Sequence, residues 1–118
     1  MDTRTAILAY SFSEKLKTGL LWSTQLVEIY IGQSDDQRAG SVAVIRAIVS
    51  MIASEVQLAA NLVPMEQWED VDKNLDLALV MINSGVVQES SYHLTQALSH
   101  VTTIGQRSMS RLLEKGLL

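Results

Sequence analysis

The sequence predicts an all-α fold, an antiparallel up-down-up-down four-helix bundle, and three observations lead to this prediction. Apolar residues recur at the three-to-four spacing of a helix with one buried side over most of the 118 residues. One proline and a few glycines divide the chain into four such stretches, and the short connections between them favour antiparallel neighbours. No segment shows the sustained alternation of a strand. We therefore expect one domain that spans residues 1–118.

The first helix is expected to begin at Asp2 or Thr3, because either side chain can cap free backbone N–H groups. It should end at about Ile31, since Gly32 follows and glycine is common just beyond a helix C-terminus. The residues predicted to face the core lie at helical spacing along one side of this helix: Leu8, Phe12, Leu16, Leu20, Val27 and Tyr30.

The second helix has the clearest start signal in the chain. Ser34 and Gln37 have the spacing of a capping box, and the two aspartates between them lie in the positively charged first turn. The helix should continue to about Leu62, because Pro64 cannot extend it and holds the preceding residue out of helical geometry.

The third and fourth helices are expected at about residues 65–84 and 87–115. Gly85 and Gly116 follow them as left-handed stops. Their predicted inward residues are Trp68, Val71, Leu75, Ala78, Leu79 and Ile82 in the third helix, and Leu94, Leu98, Val101, Ile104 and Leu112 in the fourth.

Composition argues against several classes of function. The chain has 9 basic and 13 acidic residues, a formal charge of −4, so it is poorly suited to neutralise nucleic-acid phosphates. It has no cysteine, which excludes disulfides and thiolate metal sites and fits a reducing compartment. The sequence predicts no membrane span, because charged residues interrupt its long apolar runs, and it shows no signal-peptide pattern. We expect a cytoplasmic protein that binds neither nucleic acid nor membrane.

The second helix has more apolar surface than one helix of a small bundle needs to bury. A helix in a monomeric bundle typically hides about a third to a half of its circumference. Here apolar residues cover most of the surface outside one narrow polar stripe. The stripe comprises Arg46, Ser50, Ser54, Gln57 and Asn61.

This excess of apolar surface predicts a protein-protein interaction module without enzymatic activity, such as an adaptor, a chaperone-like protein or a regulatory bundle. We expect it to form a homodimer through its second and third helices. An apolar helix of another protein is a second candidate partner. The alternative is that the second helix is simply the most central helix of its own bundle. The residues expected at the contact are Ile48, Ile52, Glu55, Leu77, Val80 and Met81.

Glu55 interrupts the apolar arc of the second helix. A carboxylate there needs a partner, because burying it alone costs several kcal/mol. Lys15 and Lys17 on the first helix are the candidate partners within the chain. Trp22 and Tyr10 of the first helix lie outside its predicted core side, and we expect them either to cover the edge of the bundle or to join a contact surface.

The competing interpretation is a ligand-binding or metal-binding bundle that uses Glu55 together with His93 and His100. The two histidines are seven residues apart on one side of the last helix, but neither lies on its core side or in a di-iron or zincin motif. Ion pairs with the acidic side of the third helix are the simpler expectation for these histidines. We therefore predict no metal, no cofactor and no catalytic residue.

Gly19 and Gly105 are both predicted to face inward, where glycine costs about 1 kcal/mol relative to alanine. Close approach of two helices is the usual reason for such glycines. We expect the first and last helices to approach closely at these two positions, or the space there to accommodate a ligand.

Overall fold

The computed structural model describes residues 1–118 and confirms the all-α class and the four-helix bundle. Its helices are α1 (Thr3–Ile31), α2 (Asp35–Leu62), α3 (Gln67–Asn83) and α4 (Ser90–Glu114), and a single 3₁₀ turn (Val87–Glu89) leads into α4. Each helix packs against two others: α4 packs against α1 and α3 on one side of the bundle, and α2 packs against the same two helices on the opposite side. The molecule is elongated, with extents of 53 × 22 × 17 Å.

The local signals in the sequence set the helix ends. The Thr5 N–H donates to Asp2 Oδ1 at 2.7 Å, which caps α1 and lowers the pKa of the Asp2 carboxyl below its usual 3.8. Ser34 and Gln37 form the predicted capping box of α2. Gly85 has a φ of +82°, the left-handed conformation expected after α3.

The core follows the predicted inward sides of all four helices. Four predicted residues, Leu8, Phe12, Leu79 and Leu98, are only partly buried but still pack against it. The sequence prediction also omitted buried small residues of α1 and α4. The largest fully buried side chains are Trp68, Leu16, Leu20, Ile45, Leu75, Ile82, Leu94 and Ile104.

The helices α1 and α4 lie close together at Gly105. A Cβ atom at this position would lie 2.8 Å from Ser13 Oγ and 3.4 Å from Ser13 Cβ, so even alanine would displace the Ser13 hydroxyl. The Ser13 hydroxyl donates to the Tyr10 carbonyl of its own helix at 2.8 Å, which satisfies this buried polar group. The expected close contact at Gly105 is thus present.

The second helix is the least buried of the four. Only five of its 28 residues are buried, compared with eight of 25 in α4. The alternative prediction, that its apolar surface reflects a central position, is therefore wrong. Much of that surface faces solvent because α2 packs less extensively against its two neighbours than the other helices do.

Candidate functional site: the apolar face of α1 and α2

Exposed apolar side chains collect where α1 and α2 lie side by side. Met51 is 67% exposed and Trp22 is 59% exposed, although both are large apolar residues. Soluble monomers rarely expose contiguous apolar patches of this kind. We call this surface the α1–α2 face, and it comprises Trp22, Leu26, Ile29, Val44, Ile48, Met51, Leu58 and Leu62.

Helical spacing explains why these residues share one face. On α2, residues at intervals of three, four or seven, namely 44, 48, 51, 58 and 62, lie along one side of the helix. The first three of these adjoin α1, because Val44 shares a depression with Leu26 and Ile29, and Ile48 and Met51 share a larger one with Trp22. Leu58 and Leu62 continue the same side of α2 and are exposed.

The larger depression is a groove of about 670 Å³ between the middle of α1 and the middle of α2. Its volume is in the usual range for ligand pockets, roughly 300–1,000 Å³. Five of its ten lining residues are apolar. We call it the Gly19 groove, and its lining residues are Lys15, Leu16, Thr18, Gly19, Trp22, Ile48, Met51, Ile52, Ser54 and Glu55.

Gly19 contributes no side chain to this groove and lies against α2. A Cβ atom at Gly19 would lie 3.3 Å from Cδ1 and Cγ1 of Ile52. The prediction that Gly19 brings the first and last helices together is therefore wrong, whereas Gly105 of α4 does meet Ser13 of α1 as predicted. The alternative prediction, space for a ligand at Gly19, stays a prediction. The sequence identified Gly19 as inward but could not identify which neighbouring helix it meets.

Glu55 pairs with Lys15 at one end of the groove. Lys15 Nζ lies 3.1 Å from Glu55 Oε2, which is one of the two pairings that the sequence predicted for Glu55. The other candidate, Lys17, pairs with Glu14 on its own helix. The lysine is well exposed, so the pair contributes only about 0–1 kcal/mol to stability. Glu55 Oε2 itself is buried and, despite this short distance, receives no hydrogen bond of acceptable geometry.

The six residues predicted for the contact separate into two groups. Ile48, Ile52 and Glu55 all line the Gly19 groove, where Ile52 is buried and the other two are partly buried. Leu77, Val80 and Met81 lie on α3, and none of them lines that groove. Leu77 and Val80 are exposed and Met81 is half-buried. The structure thus joins the α2 half of the predicted surface to α1 rather than to α3.

The histidines lie apart from this groove. His93 and His100 are half-buried on α4, and neither shares a pocket with Glu55. No group of three or more histidine, aspartate or glutamate side chains is close enough to hold a metal ion.

The predicted ion pairs between α3 and α4 are not formed. Neither histidine forms an ion pair. Arg111, which lies on the same side of α4 as the histidines, pairs with Glu114 of its own helix at 3.1 Å and donates to the carbonyl of Met1, two residues before α1, at 2.8 Å. The prediction of pairing with α3 is therefore wrong.

Buried serines are the polar positions that sequence reasoning missed. Ser13, Ser23, Ser90 and Ser108 are all buried, and each hydroxyl donates to a carbonyl three or four residues earlier. Because these donors are satisfied locally, they are packing residues and not candidates for catalysis. Their spacing along the inward sides of α1 and α4 was the sequence signal that could have predicted their burial.

The helix α2 is long and apolar enough to span a membrane by length and composition alone, with a mean hydropathy of 1.7 over an 18-residue window. Only 28% of that window is buried within the chain. Two charged residues of this helix have partners in the bundle: Glu55 pairs with Lys15, and Arg46 Nε donates to Asn83 Oδ1 of α3 at 2.8 Å. The composition of α2 therefore marks the same exposed apolar surface that the geometry shows.

Comparison of the chain with family models, with curated proteins and with solved structures gives no match. Function must therefore be argued from the chemistry of the α1–α2 face. That face offers apolar contact area, a groove and one neutralised ion pair.

Proposed function

We propose that this protein is a non-enzymatic interaction module that binds a second copy of itself through the α1–α2 face. The observation that carries the proposal is the set of large apolar side chains, Trp22 and Met51 foremost, that the monomer leaves exposed beside an apolar groove. Burying such surface is favourable by about 25 cal/mol per Å². We propose an adaptor or regulatory role for the resulting dimer, because its other faces stay free to bind a further partner.

The dimensions of the bundle suit a stable dimer. A flat face of this molecule measures at most 53 by 22 Å, an area of roughly 1,200 Å². A standard protein interface buries about 800 Å² on each partner. An isologous contact of that size, in which the same patch of both copies meets across a two-fold axis, would therefore cover most of the side of the bundle that carries α1 and α2.

Charge favours a second copy over a lipid surface. The chain carries a formal charge of −4, and the only basic residue that lines the groove, Lys15, is already neutralised by Glu55. Proteins that lie on anionic membranes use an excess of lysine and arginine around their apolar side. An identical face brings no unpaired charge into the contact, so self-association avoids a desolvation cost.

Substitution of Met51 by glutamate is expected to weaken the dimer at least about 30-fold, because it places a carboxylate in the centre of the apolar contact. Ser50→Glu is the matched control, because it adds the same charge to the preceding residue of α2, which lies on the polar stripe. Sedimentation equilibrium of both variants and the wild type measures the dissociation constants. Met51 is exposed, so circular dichroism should show both variants folded.

Two results would overturn this proposal. One is a wild-type chain that stays monomeric up to several hundred micromolar, including a monomer that floats with lipid vesicles or binds an apolar helical peptide. The other is equal weakening by Met51→Glu and Ser50→Glu, which would place the contact elsewhere.

A further inference from the structure

We infer that Trp22 of each copy enters the Gly19 groove of the other copy, so that the groove is completed only in the dimer. This inference rests on the proposed function and specifies its geometry. Trp22 is the largest exposed apolar side chain of the chain, and it lies at the rim of the groove. Buried tryptophans are the most frequent anchors of protein interfaces, and they insert into pockets on the partner.

The spacing of Gly19 and Trp22 supports a reciprocal arrangement. The two residues are three positions apart, so they lie on neighbouring faces of α1 and about 4.5 Å apart along its axis. A two-fold axis that passes over the groove, perpendicular to α1 and close to Gly19, makes the two α1 helices antiparallel. Trp22 of each copy then lies beside the groove of the other copy, whereas Gly19 stays against Ile52 of its own chain.

The polar atoms of the groove are complementary as well. The Trp68 indole N–H donates to the Val63 carbonyl, whereas the Trp22 indole N–H donates to no atom of its own chain. Glu55 Oε2 is the only buried side-chain nitrogen or oxygen atom without a hydrogen bond. A buried tryptophan normally needs an acceptor, and a buried carboxylate oxygen needs a donor. Glu55 Oε2 is covered by its own chain, so the exposed part of the Glu55 carboxylate, which lines the groove, is the acceptor that the Trp22 N–H of the second copy can reach.

The groove also has the right character for an indole ring. Leu16, Ile48, Met51 and Ile52 supply apolar walls, and the ion pair of Lys15 and Glu55 closes one end without a net charge. Gly19 adds no side chain to the floor, where Ile52 lies 3.3 Å from the position of a Cβ atom. Filling this position is therefore expected to exclude the ring of the second copy. The side chain of Ile52 must shift by a few tenths of an ångström, and circular dichroism checks that Gly19→Met stays folded.

The test is complementation between two variants that are each defective alone. Trp22→Ala removes the inserted ring, and Gly19→Met fills the groove. We expect each variant to weaken its own dimer at least about 30-fold by sedimentation equilibrium. An equimolar mixture should associate at least tenfold more tightly than either variant alone, because one intact insertion remains and the added methionine faces the missing ring.

Matched controls separate this arrangement from a general loss of apolar contact. Tyr92→Ala removes an exposed aromatic ring from α4, and Gln106→Met adds the same methionine at an exposed position of α4, away from the α1–α2 face. Alone or mixed, they should leave the dissociation constant unchanged. Trp22→Phe should give a weakening between those of the wild type and Trp22→Ala, because it keeps a ring but loses the N–H donor.

The outcomes separate this inference from the proposed function. If the wild type dimerises through the α1–α2 face but the mixture of Trp22→Ala and Gly19→Met binds no better than either variant alone, reciprocal insertion is wrong and the proposed function stands. If Trp22→Ala dimerises as tightly as the wild type, insertion is also wrong. A wild-type chain that stays monomeric would contradict both the inference and the proposed function.

Discussion

Substitution of Trp68 by alanine is expected to lower the free energy of unfolding by roughly 3–5 kcal/mol, the usual cost of removing a buried aromatic side chain. Trp68 is only 1% exposed, and its indole Nε1–H donates to the Val63 carbonyl at 2.9 Å. Val63 ends α2 with a φ of −135° and a ψ of 81°, outside helical geometry. The substitution therefore removes core volume and also the bond that joins the end of α2 to the start of α3.

Urea titration followed by circular dichroism measures this effect, and Trp22→Ala is the matched control. It makes the same chemical change at an exposed position, where we expect a change within about 0.5 kcal/mol. Both substitutions belong in a Met51→Glu background, so that the comparison is between monomers. Equal losses at Trp68 and Trp22 would contradict the assignment of one tryptophan to the core and the other to the surface.

Substitution of Gly105 by leucine is expected to destabilise the bundle by about 3 kcal/mol, at the upper end of the range for an overpacked core. The first added carbon would displace the Ser13 hydroxyl, whose oxygen lies 2.8 Å from it, and Ser13 Cβ lies only 3.4 Å away, so we expect α1 and α4 to separate to accommodate the rest of the leucine side chain. This cost should exceed the gain of about 1 kcal/mol that leucine has over glycine in a helix.

Gly40→Leu provides the control for Gly105→Leu. Gly40 lies in α2 with no atom within 4 Å of the position of a Cβ, so only the gain in helix propensity should remain. We expect the two leucine variants to shift the urea midpoint in opposite directions, again in the Met51→Glu background. A stabilising effect of Gly105→Leu would show that α1 and α4 are not in close contact at this position.

The ends of the helices were largely predictable because short sequence motifs determine them. Asp2, Ser34 and Gly85 each act through backbone groups within a few residues, and each lies where the sequence placed it. The last helix differs in one detail, since its first predicted turn, at Val87–Glu89, is a 3₁₀ turn. Short-range hydrogen bonding decides between a 3₁₀ turn and an α-helical turn, and the spacing of apolar residues does not predict which of the two forms.

Contacts between helices were harder to predict, because a pattern shows which side of a helix is buried and not which neighbour covers it. Gly19 meets Ile52 of α2, although the sequence favoured the last helix. The exposed apolar surface of α2 faces the α1 side, although the sequence joined it to α3. Glu55 shows what the pattern can give: its need for a cationic partner pointed to Lys15, because only two lysines were available on the first helix.

Oxidative footprinting of the wild-type chain over a range of concentrations tests the self-association of the α1–α2 face most directly. Methionine and tryptophan side chains are readily oxidised when exposed to solvent. Met51 and Trp22 report on the face, while Met109 and Tyr92 are exposed on α4 and serve as internal controls. We expect the oxidation of Met51 and Trp22 to slow as the concentration rises, with Met109 and Tyr92 unchanged. Met51 and Trp22 that stay as reactive at high concentration as at low concentration would contradict the account.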